Sequence, residues 1–354
     1  MGKVRVLLVD DASVVRRLVP VALHQDPDVE VVGTAADGQI ALTRLEELSP
    51  DIVLLDLEMP VLDGLQTLEA LRRTHPRLPV IMFSRFTQRG VEATVRALTL
   101  GADDYVPKPG DGVAVEACVR EQLLPKIKLL AGRNRAAAAL AAPTPPSPTP
   151  SNFVASRVEV VVIAASTGGP NALAELLQAF PAAWTVPIVI VQHMPPVFTT
   201  RLAERLNERS QLQVREGADG DPIGAAQAWL APGDFHLLLR RRAGGVRLSL
   251  DQGPPVNCCR PAADVLFQSA AEAFGAGVLA VVLTGLGQDG RNGCQRVREA
   301  GGQVVVQDRE SSVVWSMPGA VVEAGLAHRV LPLGQLGPEI IRRAQSGHAG
   351  AARG

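Results

Sequence analysis

The chain has 354 residues, 47% of them hydrophobic, with a formal net charge of −1. This is long enough for two domains with separate cores and too apolar for disorder throughout. The charge leaves no electrostatic footprint for a nucleic acid, no apolar run reaches the roughly 18 residues of a membrane span, and the MGKVRVLLVDD start is not a signal peptide. Val6 stands where an N-myristoylation signal needs Ser or Thr. The four cysteines, Cys118, Cys258, Cys259 and Cys294, have neither metal-ligand spacing nor a disulfide framework. The adjacent Cys258 and Cys259 read as two small, semi-buried side chains, and the compartment expected is the cytoplasm.

Residues 1–125 alternate strand runs (VRVLLVD, VEVVGTA, DIVLLDLE, PVIMFS and the segment around DYVPKP) with amphipathic stretches. Five such units predict a doubly wound parallel sheet, an α/β fold. Asp10 and Asp11 end the first strand, Asp56 ends the third, and Lys108 follows the fifth. Three carboxylates at neighbouring strand ends require a cation, and hard oxygen donors select Mg²⁺. An aspartate beside Mg²⁺ is a candidate phosphoryl acceptor, and a lysine and a hydroxyl nearby can hold the other phosphoryl oxygens.

Residues 126–155 read as a helix extension and a linker. Pro143, Pro145, Pro146, Pro148 and Pro150 cannot continue a helix, so that part is extended. Lys126, Lys128, Arg133 and Arg135 before it read as a solvated helix face. A second domain is expected over 156–345, followed by a disordered tail at 346–354.

The second domain offers the runs VEVVVIAAS, VPIVIVQHM, AWLAPGD, HLLLRRR, VRLSL, GVLAVVLTG and GQVVVQD. They predict another doubly wound α/β domain with a mainly parallel sheet, and one hairpin turning at Gly244-Gly245. Three runs break into turns that carry Ser166, His193 and Asp289, in IAASTGGP, IVIVQHMP and AVVLTGLGQDG. Taken singly, Ser166 reads as an N-cap or part of a phosphate loop, His193 as a core histidine and Asp289 as a turn residue. Taken together, a hydroxyl, an imidazole and a carboxylate at strand ends are the parts of a serine hydrolase, for which chain order is no criterion. His236 reads as structural, and His24, His75, His328 and His348 as surface or terminal residues.

LLVDDASVVRR, LLDLEMPVLDG, IMFS and YVPKP resemble a two-component response-regulator receiver, a flavodoxin-like domain. The resemblance implies phosphorylation at Asp56 and Mg²⁺ on Asp10, Asp11, Asp56 and the Glu58 carbonyl. It makes Ser84, Lys108 and Tyr105 the switch hydroxyl, phosphoryl-binding lysine and switch aromatic. GGP after the serine, QHMPPVF, LAPGDFH, RPAAD, TGLGQDG and VVWSMPGA resemble the catalytic domain of the chemotaxis protein-glutamate methylesterases. That implies hydrolysis of glutamate γ-methyl esters on cytoplasmic chemoreceptor helices, commonly with deamidation of receptor glutamines. Ser166 would be the nucleophile, His193 the base and Asp289 its orienter, with Thr167 and Leu286 linked to the oxyanion site. No metal is expected in the hydrolytic step. The phosphodonor would be the chemotaxis histidine kinase, and the unphosphorylated receiver would block receptor access. Neither nucleic acid binding nor membrane insertion is expected. Ala164, Leu286 and Arg85 depart from the residues usual in these families, as does the Ala262-Ala263 pair within RPAAD. A phosphorylation-dependent docking protein with a weak hydrolase domain is the alternative reading.

Overall fold

Uninterrupted aliphatic runs become the central strands of two parallel sheets, one in each of two units, Met1–Pro143 and Thr144–Gly354. The computed structural model describes residues 2–85, 87–109, 115–139 and 157–346. The proline-rich stretch and residues 347–354 of the tail lie outside the described residues. Among the described residues, no helix is long and apolar enough to cross a membrane.

In the first unit, β1 (Val4–Val9), β2 (Val29–Ala35), β3 (Ile52–Leu55), β4 (Val80–Ser84) and β5 (Asp104–Pro107) form one sheet. Its order is β2-β1-β3-β4-β5, with every pairing parallel. β3 and β4 are buried along their whole length, as strands covered on both faces must be. Between the strands run α1 (Ser13–Leu23), α2 (Gly38–Leu48), α3 (Gly64–Thr74) and α4 (Gln88–Thr99). Three of them start on side-chain caps: Asp37 accepts from the Ile40 N–H, Thr87 from the Gly90 N–H, and Asp63 with Gln66 forms a capping box.

The unit closes with α5 (Val115–Cys118), a π turn (Val119–Leu123) and α6 (Leu124–Ala139). Here the structure departs from the expected solvated face at Lys126 and Lys128, while the side chains of Arg133 and Arg135 lie outside the described residues. Lys126 Nζ donates to Asp104 Oδ1 (2.8 Å) and to the Tyr105 carbonyl (2.9 Å). Lys128 Nζ lies 2.8 Å from Asp26 and 2.9 Å from Asp28. Acidic residues flanking β2 and opening β5 face α6, so both lysines tie the helix down.

The second unit has a seven-stranded sheet of β6 (Val160–Ala165), β7 (Ile188–Gln192), β8 (Gln213–Glu216), β9 (Gln227–Leu230), β12 (Val278–Val282), β13 (Gln303–Gln307) and β14 (Arg329–Leu331). The order is β14-β13-β12-β6-β7-β9-β8, parallel throughout. β10 (His236–Arg242) and β11 (Gly245–Asp251) form the expected hairpin as a separate antiparallel sheet. Helices α7 (Gly169–Gln178), α8 (Phe198–Arg209), α9 (Ala263–Phe274), α10 (Arg291–Glu299), α11 (Ser316–Glu323) and α12 (Leu333–Ser346) complete the unit. The core joins strand residues Val162, Val191, Ala280 and Val282 to Leu266 and Phe267 of α9.

Both sheets reverse their winding at one place. β6 lies between β7 and β12 in one, and β1 lies between β2 and β3 in the other. A crevice opens at the carboxyl ends of the strands at such a reversal. Ser166 and Thr284 follow β6 and β12, and Asp10 and Asp56 follow β1 and β3.

Candidate active site

At the end of β6 the Ser166 N–H donates to the Thr284 carbonyl (3.0 Å). The Ser166 carbonyl accepts from the Gly169 N–H (2.7 Å) and from Gln192 Nε2 (2.9 Å). Gly168, at φ 77°, turns the chain into α7 in a conformation that favours glycine. Across the turn, Thr284 Oγ1 donates to the Thr167 carbonyl (2.9 Å) and accepts from the Val314 N–H (2.8 Å). The next residue must be glycine, because a methyl group on Gly285 would sit 2.8 Å from Ser166 Cβ and collide with Met317 Sδ. Three segments of chain thus hold the serine backbone. Its Oγ makes no hydrogen bond among the described residues.

His193 follows β7, and its N–H donates to the Ala165 carbonyl (3.1 Å). Its Nε2 lies 2.8 Å from Asp289 Oδ2. That oxygen also accepts from the Ala263 N–H (2.6 Å), while Oδ1 accepts from Asn257 Nδ2 (2.8 Å) and the Asp264 N–H (3.1 Å). Asp289 therefore has four donors, two of them backbone groups at the start of α9. That helix begins at Ala262 with no side-chain cap of its own, and the Asp289 carboxylate takes the place of one. Asp264 braces the arrangement by accepting from Asn257 Nδ2 (2.9 Å) and the Gly293 N–H (2.6 Å).

The electrostatics follow from these contacts. Burial works to raise Asp289, but His193, the Ala263 N–H and Asn257 outweigh it and hold the carboxyl below its usual range. For His193 burial opposes the charge, yet Asp289 and the Cys259 thiol raise it to about 9. With Nε2–H directed at Asp289, Nδ1 is the nitrogen free for proton transfer, and Cys259 Sγ lies 3.6 Å from it. The structure brings Ser166 and His193 to neighbouring strand ends without a hydrogen bond between their side chains. Catalytic bonds of this kind often close only with substrate in place.

Of the two expected support residues, Thr167 is buried and Leu286 is 40% exposed. His236 is structural: it is buried, its Nδ1 accepts from the Ala262 N–H, and its Nε2 faces the Pro254 carbonyl. His328 is not the surface residue expected. It is half-buried, its Nδ1 accepts from the Val304 N–H, and burial beside Arg298 and Arg343 lowers it to about 4. Asn257, Asp264 and Gln192 were not read from the sequence as site residues. Their only local signals were an α-helix lacking a polar N-cap and a polar residue ending an aliphatic strand.

In the first unit, carboxylate oxygens of Asp10, Asp11 and Asp56 lie within 4.8 Å of one another. Lys108 Nζ reaches Asp10 Oδ2 (2.7 Å) and Asp56 Oδ2 (2.6 Å). Burial raises Asp56 to about 6, the Asp10 charge adds to this, and Lys108 offsets part of it. Asp10 Oδ2 is buried without a well-formed hydrogen bond, although its ion pair with Lys108 is close. Hard oxygen donors and surplus negative charge fit a small divalent cation such as Mg²⁺. Ser84 Oγ is paired with Thr94 Oγ1 (2.9 Å), and the Tyr105 ring is half-buried with Lys126 Nζ 5.4 Å from its centroid.

Chemistry of this kind defines a serine hydrolase preceded by a phosphoacceptor domain. Residues 161–340 match the CheB methylesterase family, and residues 6–120 match the response regulator receiver domain. A protein-glutamate methylesterase/protein-glutamine glutaminase of Trichodesmium erythraeum is 51% identical over 350 residues, 97% of this chain and 99% of that protein. A second, from Caulobacter vibrioides, is 48% identical over 345 residues, with 97% and 99% covered. The crystal structure of the Thermotoga maritima CheB methylesterase catalytic domain aligns with a TM-score of 0.52 at 42% identity, over 52% of this chain and 98% of that one. The chain belongs to the CheB methylesterase family and carries a receiver domain ahead of the catalytic one.

Proposed function

We propose that this enzyme hydrolyses glutamate γ-methyl esters on chemoreceptors, releasing methanol, and deamidates receptor glutamines, under control of phosphorylation at Asp56. The observation that carries this reading is the bond between His193 and Asp289 at the strand end next to Ser166. Ser166 Oγ attacks the ester carbonyl while His193 Nδ1 takes its proton. Asp289 keeps Nε2–H in place and stabilises the imidazolium that forms. Nδ1 then protonates the departing methanol, or ammonia from an amide, and water delivered through the same nitrogen hydrolyses the acyl-enzyme. The Ser166 N–H is spent on Thr284, so the donors to the oxyanion come from the residues after it and from the Leu286 loop.

In the receiver, Asp56 accepts a phosphoryl group from the chemotaxis histidine kinase. Asp10, Asp11, Asp56 and the Glu58 carbonyl would hold Mg²⁺, which neutralises phosphoryl charge. Lys108 passes from Asp56 Oδ2 to a phosphoryl oxygen. Ser84 Oγ leaves Thr94 for another, and Tyr105 turns with it. Methylated receptors and the kinase place the reaction in the cytoplasm.

The test is methanol release from methylated chemoreceptor fragments, with and without Mg²⁺ and a small acyl phosphate. Release should rise on phosphorylation of the natural protein and stay at its basal level in Asp56→Asn. Equal release in both states removes the regulation, and no release from any receptor removes the substrate.

A second expectation concerns pH. His193 holds its proton up to about 9 in the free site, and an imidazolium cannot act as base. kcat/KM should therefore climb with pH and level off above that value. A limb centred near the ordinary imidazole value, roughly 6.5, would show that Asp289 and Cys259 do not act on the ring. The same shift gives stability that is complete below the unfolded imidazole value and fades as pH rises through about 9.

A further inference from the structure

We propose that Cys259 is a redox modification site: hydroperoxides oxidise the thiol seated on Nδ1 of His193 to a sulfenic acid, which deprives Ser166 of its base. The loss of activity rests on the esterase reading above, whereas the modification itself does not.

Cys259 is one end of an ordered array. Its Sγ lies 3.6 Å from His193 Nδ1, and His193 Nε2 lies 2.8 Å from an Asp289 oxygen whose carboxylate has three further donors. Nucleophile, base and orienter in that sequence are the parts of an activated thiol. Ser166 Oγ has no hydrogen bond among the described residues, so the thiol is the nucleophile that the resting base faces.

The backbone enforces this placement. Val256 and Cys259 exchange both backbone hydrogen bonds (3.0 and 2.9 Å) across Asn257 and Cys258, at φ 51° and 61°. Two successive non-glycine residues in the left-handed region persist only where their surroundings hold them. Here the Asn257 amide is held by Asp264 and Asp289. One turn thus delivers Asn257 to the carboxylate and Cys259 to the far side of the imidazole.

The other thiols lack this combination. Cys118 and Cys294 are buried, and burial pushes both thiols up. Cys258 is exposed but has no hydrogen-bond partner for its thiol among the described residues. Cys259 is half-buried, which leaves room for a small oxidant.

In the step, Nδ1 of the ring in its neutral form takes the thiol proton, and the thiolate attacks one peroxide oxygen. The S–O bond forms, the O–O bond breaks and hydroxide or alkoxide leaves. Sulfur loses two electrons to the peroxide. The added oxygen occupies the side of Nδ1 that Ser166 Oγ must approach. Two equivalents of an external thiol reverse the change, giving a disulfide and water.

The experiment treats the full chain with hydrogen peroxide, traps sulfenic acid with a cyclic 1,3-diketone and maps the adduct by peptide mass. Methanol release is followed in parallel. Trapping is expected at Cys259, with release falling by about 10²- to 10⁴-fold, the range for losing a general base, and returning with dithiothreitol. Cys258→Ala should remain sensitive. Cys259→Ala, judged against its own untreated rate, should be insensitive, and the limb of its pH profile should move down. His193→Gln should slow trapping at Cys259, a readout that needs no esterase activity. Trapping at Cys258 alone, oxidation of Cys259 with release intact, or a loss that persists in Cys259→Ala would overturn the proposal. No methanol from untreated protein, with trapping still dependent on His193, would sink the esterase reading and leave the modification site standing.

Discussion

Methanol release is expected to fall by roughly 10⁴- to 10⁶-fold when Ser166 is replaced by alanine, with the melting temperature unchanged. The two halves of this expectation come from different atoms. Everything that holds the residue in place is backbone: the N–H on Thr284 and the carbonyl on Gly169 and Gln192. Alanine keeps these bonds and keeps the Cβ that Gly285 faces. Only Oγ is removed, and Oγ has no structural partner among the described residues. Methanol assays and thermal melts on the same preparation check both halves. Release within tenfold of the natural enzyme would mean that another group attacks the ester. A large drop in melting temperature would mean that Oγ serves the fold.

Asp289→Asn should cost both activity and stability. Each carboxylate oxygen accepts two donors, His193 and the Ala263 N–H on one side, Asn257 and the Asp264 N–H on the other. An amide turns one of those oxygens into a donor, so in either orientation two donors face a third. If the amide nitrogen faces His193, the ring takes the wrong tautomer and kcat drops by about 10⁴-fold. If it faces the other side, the buried Asp264 N–H and the more exposed Asn257 amide lose their acceptor, at roughly 1–3 kcal/mol for the buried donor. The uncapped start of α9 suffers in both cases. In a domain of this size the melting temperature should fall by about 5–10 °C. An Asn variant that melts like the natural protein would show that the carboxylate does not cap the helix.

The strands that form the middle of each sheet were plain in the sequence, because a strand covered on both faces is aliphatic along its length, as VVVIAA and VLAVV are. The edge strands of the second sheet were not. QVRE is short and half polar, and RVL has three residues, so neither shows a period. Ser166, His193 and Asp289 stood out because each interrupts an aliphatic run, and the acidic residues of the receiver stood out for the same reason. What remained hidden were partners across long stretches of chain. Lys128 and Asp28 are 100 positions apart, and Asn257 meets Asp289 across 32. His328 looked like a surface residue because nothing beside it in sequence reveals the Val304 N–H it accepts from. The bare N-cap at Ala262 was a legible hint that something distant must satisfy α9, but it does not say what.

The clamp on the Ser166 turn also has a consequence for synthesis. Thr284 and Gly285 press on that turn, and they are themselves anchored by Val314 and Met317. A ribosome adding roughly 5–20 residues per second finishes the strand bearing the serine on the order of ten seconds before it delivers Met317. For most of that interval the nascent polypeptide holds Ser166 without Asp289, and throughout it holds the turn without its full clamp. If Ser166 is the nucleophile, as proposed above, hydrolytic competence is acquired late, and a translation product stalled before Met317 would lack it.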